Sequence, residues 1–136
     1  MTLSAALRLA PKAYSVTVTA TGGGVTQKET LTVNIPGLSL MASATGVTVS
    51  STTKGTVQFT TAALGGFSSS VALSVHGLPT GVTASFSPHT VASPGSGVST
   101  LTLAKGTGAA TGSSNITVAA TGASLTETEA VRLTVK

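Results

Sequence analysis

Apolar and polar residues alternate with a period of two along most of the chain. Val57 and Phe59 sit between Thr56, Gln58 and Thr60. Val71, Leu73 and Val75 alternate with Ser70, Ala72, Ser74 and His76. The same rhythm runs through Val82, Ala84 and Phe86, through Leu101 and Leu103, through Ile116, Val118 and Ala120, and through Val131, Leu133 and Val135. Alternation of this kind predicts strands with one face on a core and the other in water, as in antiparallel sheets. Leu38–Leu40 and Val47–Val49 read as a split first strand. Turn signals separate the stretches: Gly65-Gly66, Gly77-Leu78-Pro79, Ser87-Pro88, Pro94-Gly95 and Gly106-Thr107-Gly108. About seven strands in about 100 residues is the count of an immunoglobulin-like antiparallel sandwich of two sheets. The predicted core is Val57, Phe59, Val71, Leu73, Val75, Val82, Phe86, Leu101, Leu103, Ile116, Val118, Val131 and Leu133.

An internal repeat sets the domain plan. Residues 16–35 (VTVTATGGGVTQKETLTVNI) align without a gap onto 116–135 (ITVAATGASLTETEAVRLTV), an offset of 100. Thr17, Val18, Ala20, Thr21, Gly22, Thr26 and Glu29 recur identically as Thr117, Val118, Ala120, Thr121, Gly122, Thr126 and Glu129. Upstream, Leu7 and Leu9 match Leu101 and Leu103. Residues 1–36 therefore read as the last three strands, roughly, of one repeat and residues 37–136 as a complete second repeat, with Ile35-Pro36-Gly37 as the join.

Composition narrows the class. The chain has no Asp, Cys or Trp, three Glu and seven Lys plus Arg, for a net charge of +4. Thr and Val suit a pleated, half-buried surface, and Gly, Ser and Pro suit turns. The basic residues (Arg8, Lys12, Lys28, Lys54, Lys105, Arg132 and Lys136) are scattered singly, and only Tyr14, Phe59, Phe67 and Phe86 are aromatic. Nucleic-acid binders cluster their cations and interleave stacking aromatics, so that class is excluded. Without Cys there is neither disulfide nor thiol chemistry. No apolar run approaches the roughly 18 residues of a membrane span. Residues 1–10 are too short, and wrongly charged, for a signal peptide. A surface of hydroxyls rather than charges fits an extracellular or cell-surface setting, with any signal outside this chain.

The runs PGLSLMASATGVTVS, GGFSSSVALSVHGLPTGVTASFSPHTV, GSGVSTLTL and NITVAATGASLTETEAVRLTV resemble the tandem bacterial Ig-like repeats of large secreted and surface proteins. The segment Gly77–Pro88 (GLPTGVTASFSP) is the most specific part. The resemblance covers 37–136, and its last hairpin recurs within 1–36. It implies a non-catalytic spacer or display module, with His76 and His89 standing where the pattern more often has a small polar residue. Fold alone does not give function.

Candidate chemistry is sparse. His76 ends a strand and His89 follows the return strand, which would put the two at opposite ends of a hairpin, too far apart to share an ion. A zinc site would also need further ligands. A catalytic triad needs a His oriented by a carboxylate, yet Glu29, Glu127 and Glu129 all lie on the repeated hairpin. Glu127 and Glu129 share a strand face without a cleft and read as solvated charges that discourage edge pairing. Gly22-Gly23-Gly24 is a hairpin turn, because no helix or phosphate-binding Lys follows it. Asn115-Ile116-Thr117 fits the glycosylation sequon, unmodified by default in a bacterial product.

No catalytic, cofactor-binding or metal site is therefore expected, and no enzyme. The partners expected are neighbouring Ig-like repeats or copies of the chain itself, through strand exchange by residues 2–36. Two other roles compete with the spacer: a subunit of a self-assembling fibre or surface layer, and a glycan-binding or adhesion module. The last lacks the exposed Trp and Tyr that stack on sugars.

Overall fold

The computed structural model describes residues 9–136. These form eleven strands: β1 (Lys12–Gly22), β2 (Val25–Ile35), β3 (Gly37–Ala42), β4 (Gly46–Val49), β5 (Gly55–Leu64), β6 (Val71–His76), β7 (Val82–Ser87), β8 (Thr90–Val91), β9 (Gly97–Lys105), β10 (Gly112–Gly122) and β11 (Leu125–Val135). No helix occurs among the described residues, in keeping with the wealth of β-branched residues.

The chain is an all-β, immunoglobulin-like sandwich preceded by a hairpin. One sheet has the order β4-β11-β10-β6-β8 and the other β3-β5-β9-β7, while β1 and β2 form a separate two-stranded sheet. From β5 to β10 every connection crosses from one sheet to the other. Each strand in that stretch therefore contributes its apolar face to the same central layer, and the two inner faces interdigitate as in other sandwiches.

That layer contains eleven of the thirteen predicted core residues, with Phe59, Ile116, Leu101 and Leu133 fully buried. Each such side chain contributes roughly 1.5–3 kcal/mol relative to exposure. Val75 and Phe86 are instead half-buried against the core's margin. Phe86 lies on β7, an edge strand, and meets Phe59 edge to face at 6.4 Å between ring centres. The core also takes in Leu38, Leu40, Val49, Phe67, Val91, Ala109, Ala120 and Val135. Two polar side chains are buried with hydrogen bonds: Thr61 donates to the Gly95 carbonyl at 2.8 Å and Ser99 to the Pro88 carbonyl.

Three features depart from the sequence reading. The first strand is split, as expected, but its halves join opposite sheets, and β4 runs parallel to β11, pairing Gly46 with Arg132 and Val49 with Val135. The sandwich is thus not wholly antiparallel. Strands β6 and β7 are not a hairpin, because the Gly77–Gly81 turn carries the chain to the other sheet. A short β8, unforeseen, then returns to pair with β6. Of the N-terminal piece, two strands, β1 and β2, lie among the described residues. Leu7 lies outside the described residues, and Leu9 belongs to no strand.

Candidate functional site

The β1–β2 hairpin reproduces the β10–β11 hairpin rung for rung. Lys12 pairs with Ile35 as Gly112 pairs with Val135, and the register runs unbroken to Gly22–Val25 and Gly122–Leu125. The hydroxyls of Thr21 and Thr26 lie 3.4 Å apart, and those of Thr121 and Thr126 3.2 Å apart. Both loops are two residues long with positive φ: Gly23 and Gly24 in one, Ala123 and Ser124 in the other. Two positive φ values make a type I′ turn, whose twist matches that of the flanking strands.

What differs is cover. Ile116, Val118, Val131, Leu133 and Val135 lie within the sandwich, none more than 3% exposed. Their counterparts Val16, Val18, Leu31, Val33 and Ile35 are half-buried or exposed, with Leu31 at 47%. Tyr14 stands on the same face, its hydroxyl bonded to the Ala10 carbonyl and its ring under the Lys12 ammonium at 4.7 Å. Strict alternation along both strands puts these side chains on one side. No described strand pairs with either outer edge of this hairpin.

The base of the hairpin is seated on the sandwich. Pro36 alone separates β2 from β3. A side chain at Gly37 would run into the Pro11 ring, and one at Gly65 into the Ile35 carbonyl and the Lys12 amide. Gly65, with φ of 56°, and Gly66 form the turn after β5, where the Asn34 side chain closes over Gly66. The Gly-Gly pair thus meets two demands at one place, a left-handed turn and close backbone approach.

The remaining candidates are dispersed. His76 ends β6 with its Nε2 3.3 Å from the Ser74 hydroxyl. His89 accepts a bond from the Leu73 amide through its carbonyl, and its ring meets that of Phe86 in a T-shaped arrangement. His89 thus stands opposite Leu73, three residues along β6 from His76 and on the order of 10 Å away, and the two do not sit at opposite ends of a β6–β7 hairpin. Among the described residues no three His, Cys, Asp or Glu side chains come together as a metal site. Glu127 and Glu129 lie on β11 beyond the reach of β4, which pairs only with Arg132–Val135. Glu29 is the counterpart of Glu129 and pairs with Val18. Asn115 is exposed opposite Arg132, and both line a shallow dish of about 290 Å³ with Ser113 and Ser114. The Ser114 hydroxyl there is buried without a hydrogen-bond partner.

A scan against protein-family models finds no match, and no curated protein is similar in sequence. Solved structures are similar in fold. Domains 4 and 5 of the S-layer protein SbsC superpose with a TM-score of 0.51 at 19% identity, over 92% of this chain and 65% of that one. A longer SbsC structure, domains 4–9, gives 0.53 at 25% identity over 93% of this chain and 18% of that one. The D00–D0 domain of intimin gives 0.53 at 20% identity, over 91% of this chain and 65% of that one. The chain thus spans less than two thirds of the length of each. A match over more than nine tenths of the chain is not met by residues 37–136 alone, so it reaches into the preceding hairpin.

Proposed function

We propose that the chain is a non-catalytic structural module of a bacterial cell-surface protein, a spacer or display element in which sandwiches follow one another without flexible linkers. In this reading residues 1–36 close a preceding sandwich and residues 37–136 form a complete one. The observation that carries it is the hairpin: it repeats β10–β11 rung for rung and enters β3 through Pro36 alone. Its base is wedged against Gly37, Gly65 and Gly66, so successive modules meet through backbone contact. A junction of that kind holds an angle and transmits position along a chain. Two kinds of neighbour support the surface setting, an S-layer protein and intimin, each in a structure spanning consecutive domains. Dispersal of the histidines and glutamates supports the absence of catalysis.

Self-assembly into a surface layer or fibre is the second reading, favoured by the apolar face of the hairpin, which no described sheet covers. No observation favours glycan binding, since the single tyrosine already lies under Lys12.

Small-angle scattering on chains of one, two and three joined copies of residues 37–136 tests the spacer reading. The maximum dimension should grow by a constant increment per copy, roughly 35–40 Å for strands of eleven residues. A profile of independently tumbling beads would contradict it.

A further inference from the structure

Of the surfaces left open by the fold, the apolar face of β1–β2 alone comes with a description of what covers it, because β10–β11 shows the same face in use. There, Ile116, Val118, Val131, Leu133 and Val135 are covered by the sheet containing β3, β5 and β9. The outer edge of β10 is taken by β6 and that of β11 by β4. Everything that buries this hairpin lies between residues 37 and 105, apart from the loop residue Ala109.

We propose that the β1–β2 face is a docking surface for a strand set patterned like residues 37–105, which the hairpin completes as β10–β11 completes its own sandwich. This rests on the structural-module reading and names the partner of its N-terminal part. The matching register places Val16, Val18, Leu31, Val33 and Ile35 where the incoming sheet would present residues like Leu38, Phe59, Leu101 and Leu103. Both outer edges of the hairpin are free among the described residues, as addition of a β6-like and a β4-like strand requires.

A second copy of the complete sandwich fits less well. Its own β10–β11 already fills the place, so hairpin exchange would expose as much apolar face as it covers. Tyr14 also corresponds to Ser114, a far smaller side chain whose hydroxyl is buried, so a phenol ring at that place would displace its neighbours. The partner strands therefore carry a smaller residue opposite Tyr14 than this sandwich has opposite Ser114.

The test supplies such strands within one chain. Residues 37–111 are placed directly before Lys12, so that β1–β2 follows them as β10–β11 follows them in the natural order. A second version carries Tyr14→Ser, which removes the one mismatch in size. Amide exchange at Val16, Val18, Leu31 and Val33 is then compared with the original chain. Protection should rise by about a hundredfold in at least the Tyr14→Ser version, the signature of a hairpin entering a cooperative unit. Val33→Asp should abolish that gain while leaving β10–β11 protected.

Hairpin amides that exchange equally fast in all three chains would overturn the proposal. So would an original chain that is dimeric with its hairpin already protected, for then a second copy is the occupant. Neither result bears on the scattering test of residues 37–136, so this inference can fail while the spacer reading stands.

Discussion

Thr61 donates its hydroxyl to the Gly95 carbonyl at 2.8 Å, joining β5 to the turn that precedes β9, with Thr61 itself 1% exposed. A side chain at Gly95, whose φ is 93°, would run into Phe67, Ser69 and Val71, so the bond anchors a turn held close to the core. A buried carbonyl stripped of its donor costs about 1–3 kcal/mol. Thr61→Val keeps the shape and removes the bond, and should destabilise the sandwich by about that amount. Urea denaturation measures it. An unchanged midpoint would mean that the bond contributes nothing net.

Phe59 marks the centre of the core. It is fully buried on β5 and touches Phe86 edge to face. Phe59→Ala should cost about 3–5 kcal/mol, most of the stability of a marginal domain. Phe86→Ala should cost clearly less, because Phe86 is only half-buried on an edge strand. Equal losses in thermal or chemical unfolding would contradict the burial pattern.

The two type I′ turns differ in chemistry. Ala123 and Ser124 hold φ of 46° and 67°, a region costly for residues with a Cβ. Their replacement by Asn-Gly, the pair this turn favours, should stabilise the sandwich by about 0.5–1 kcal/mol, on the scale of comparable turn corrections. The converse change, Gly23→Ala with Gly24→Ser, should leave the sandwich midpoint unmoved. A shift there would show that the hairpin and sandwich unfold together.

Glycines with the same backbone conformation should differ by their surroundings. Gly65→Ala forces a methyl group into the Ile35 carbonyl, whereas Gly108→Ala points one into open space at φ of 85°. The second should cost about 1–2 kcal/mol, the left-handed penalty alone. The first should cost more and loosen the junction. Scattering from joined copies carrying Gly65→Ala should show a broader distribution of dimensions, and an unaltered profile would remove Gly65 from the junction's account.

Much of this molecule was legible in its residues. Alternation located the strands because the side-chain period of a strand is two whatever it packs against. The offset of 100 revealed the second hairpin because equal sequence at equal spacing gives equal register, down to the paired threonines. The scarcity of chemistry-bearing residues was likewise a property of the chain alone.

Three things were decided only in three dimensions. The halves of the first strand go to opposite sheets, and β4 pairs parallel to β11, because strand partners come from distant residues whose identity no local pattern encodes. His89 lies beside Leu73 because β7 crosses between sheets, a choice made at Gly77–Gly81 by packing rather than by the turn signal itself. And Val33 is only half-buried while Leu133 is sealed, although they occupy the same rung of two matching hairpins. Alternation says which side of a strand is apolar. Burial depends on whether another sheet lies against it, which a strand's own residues do not specify.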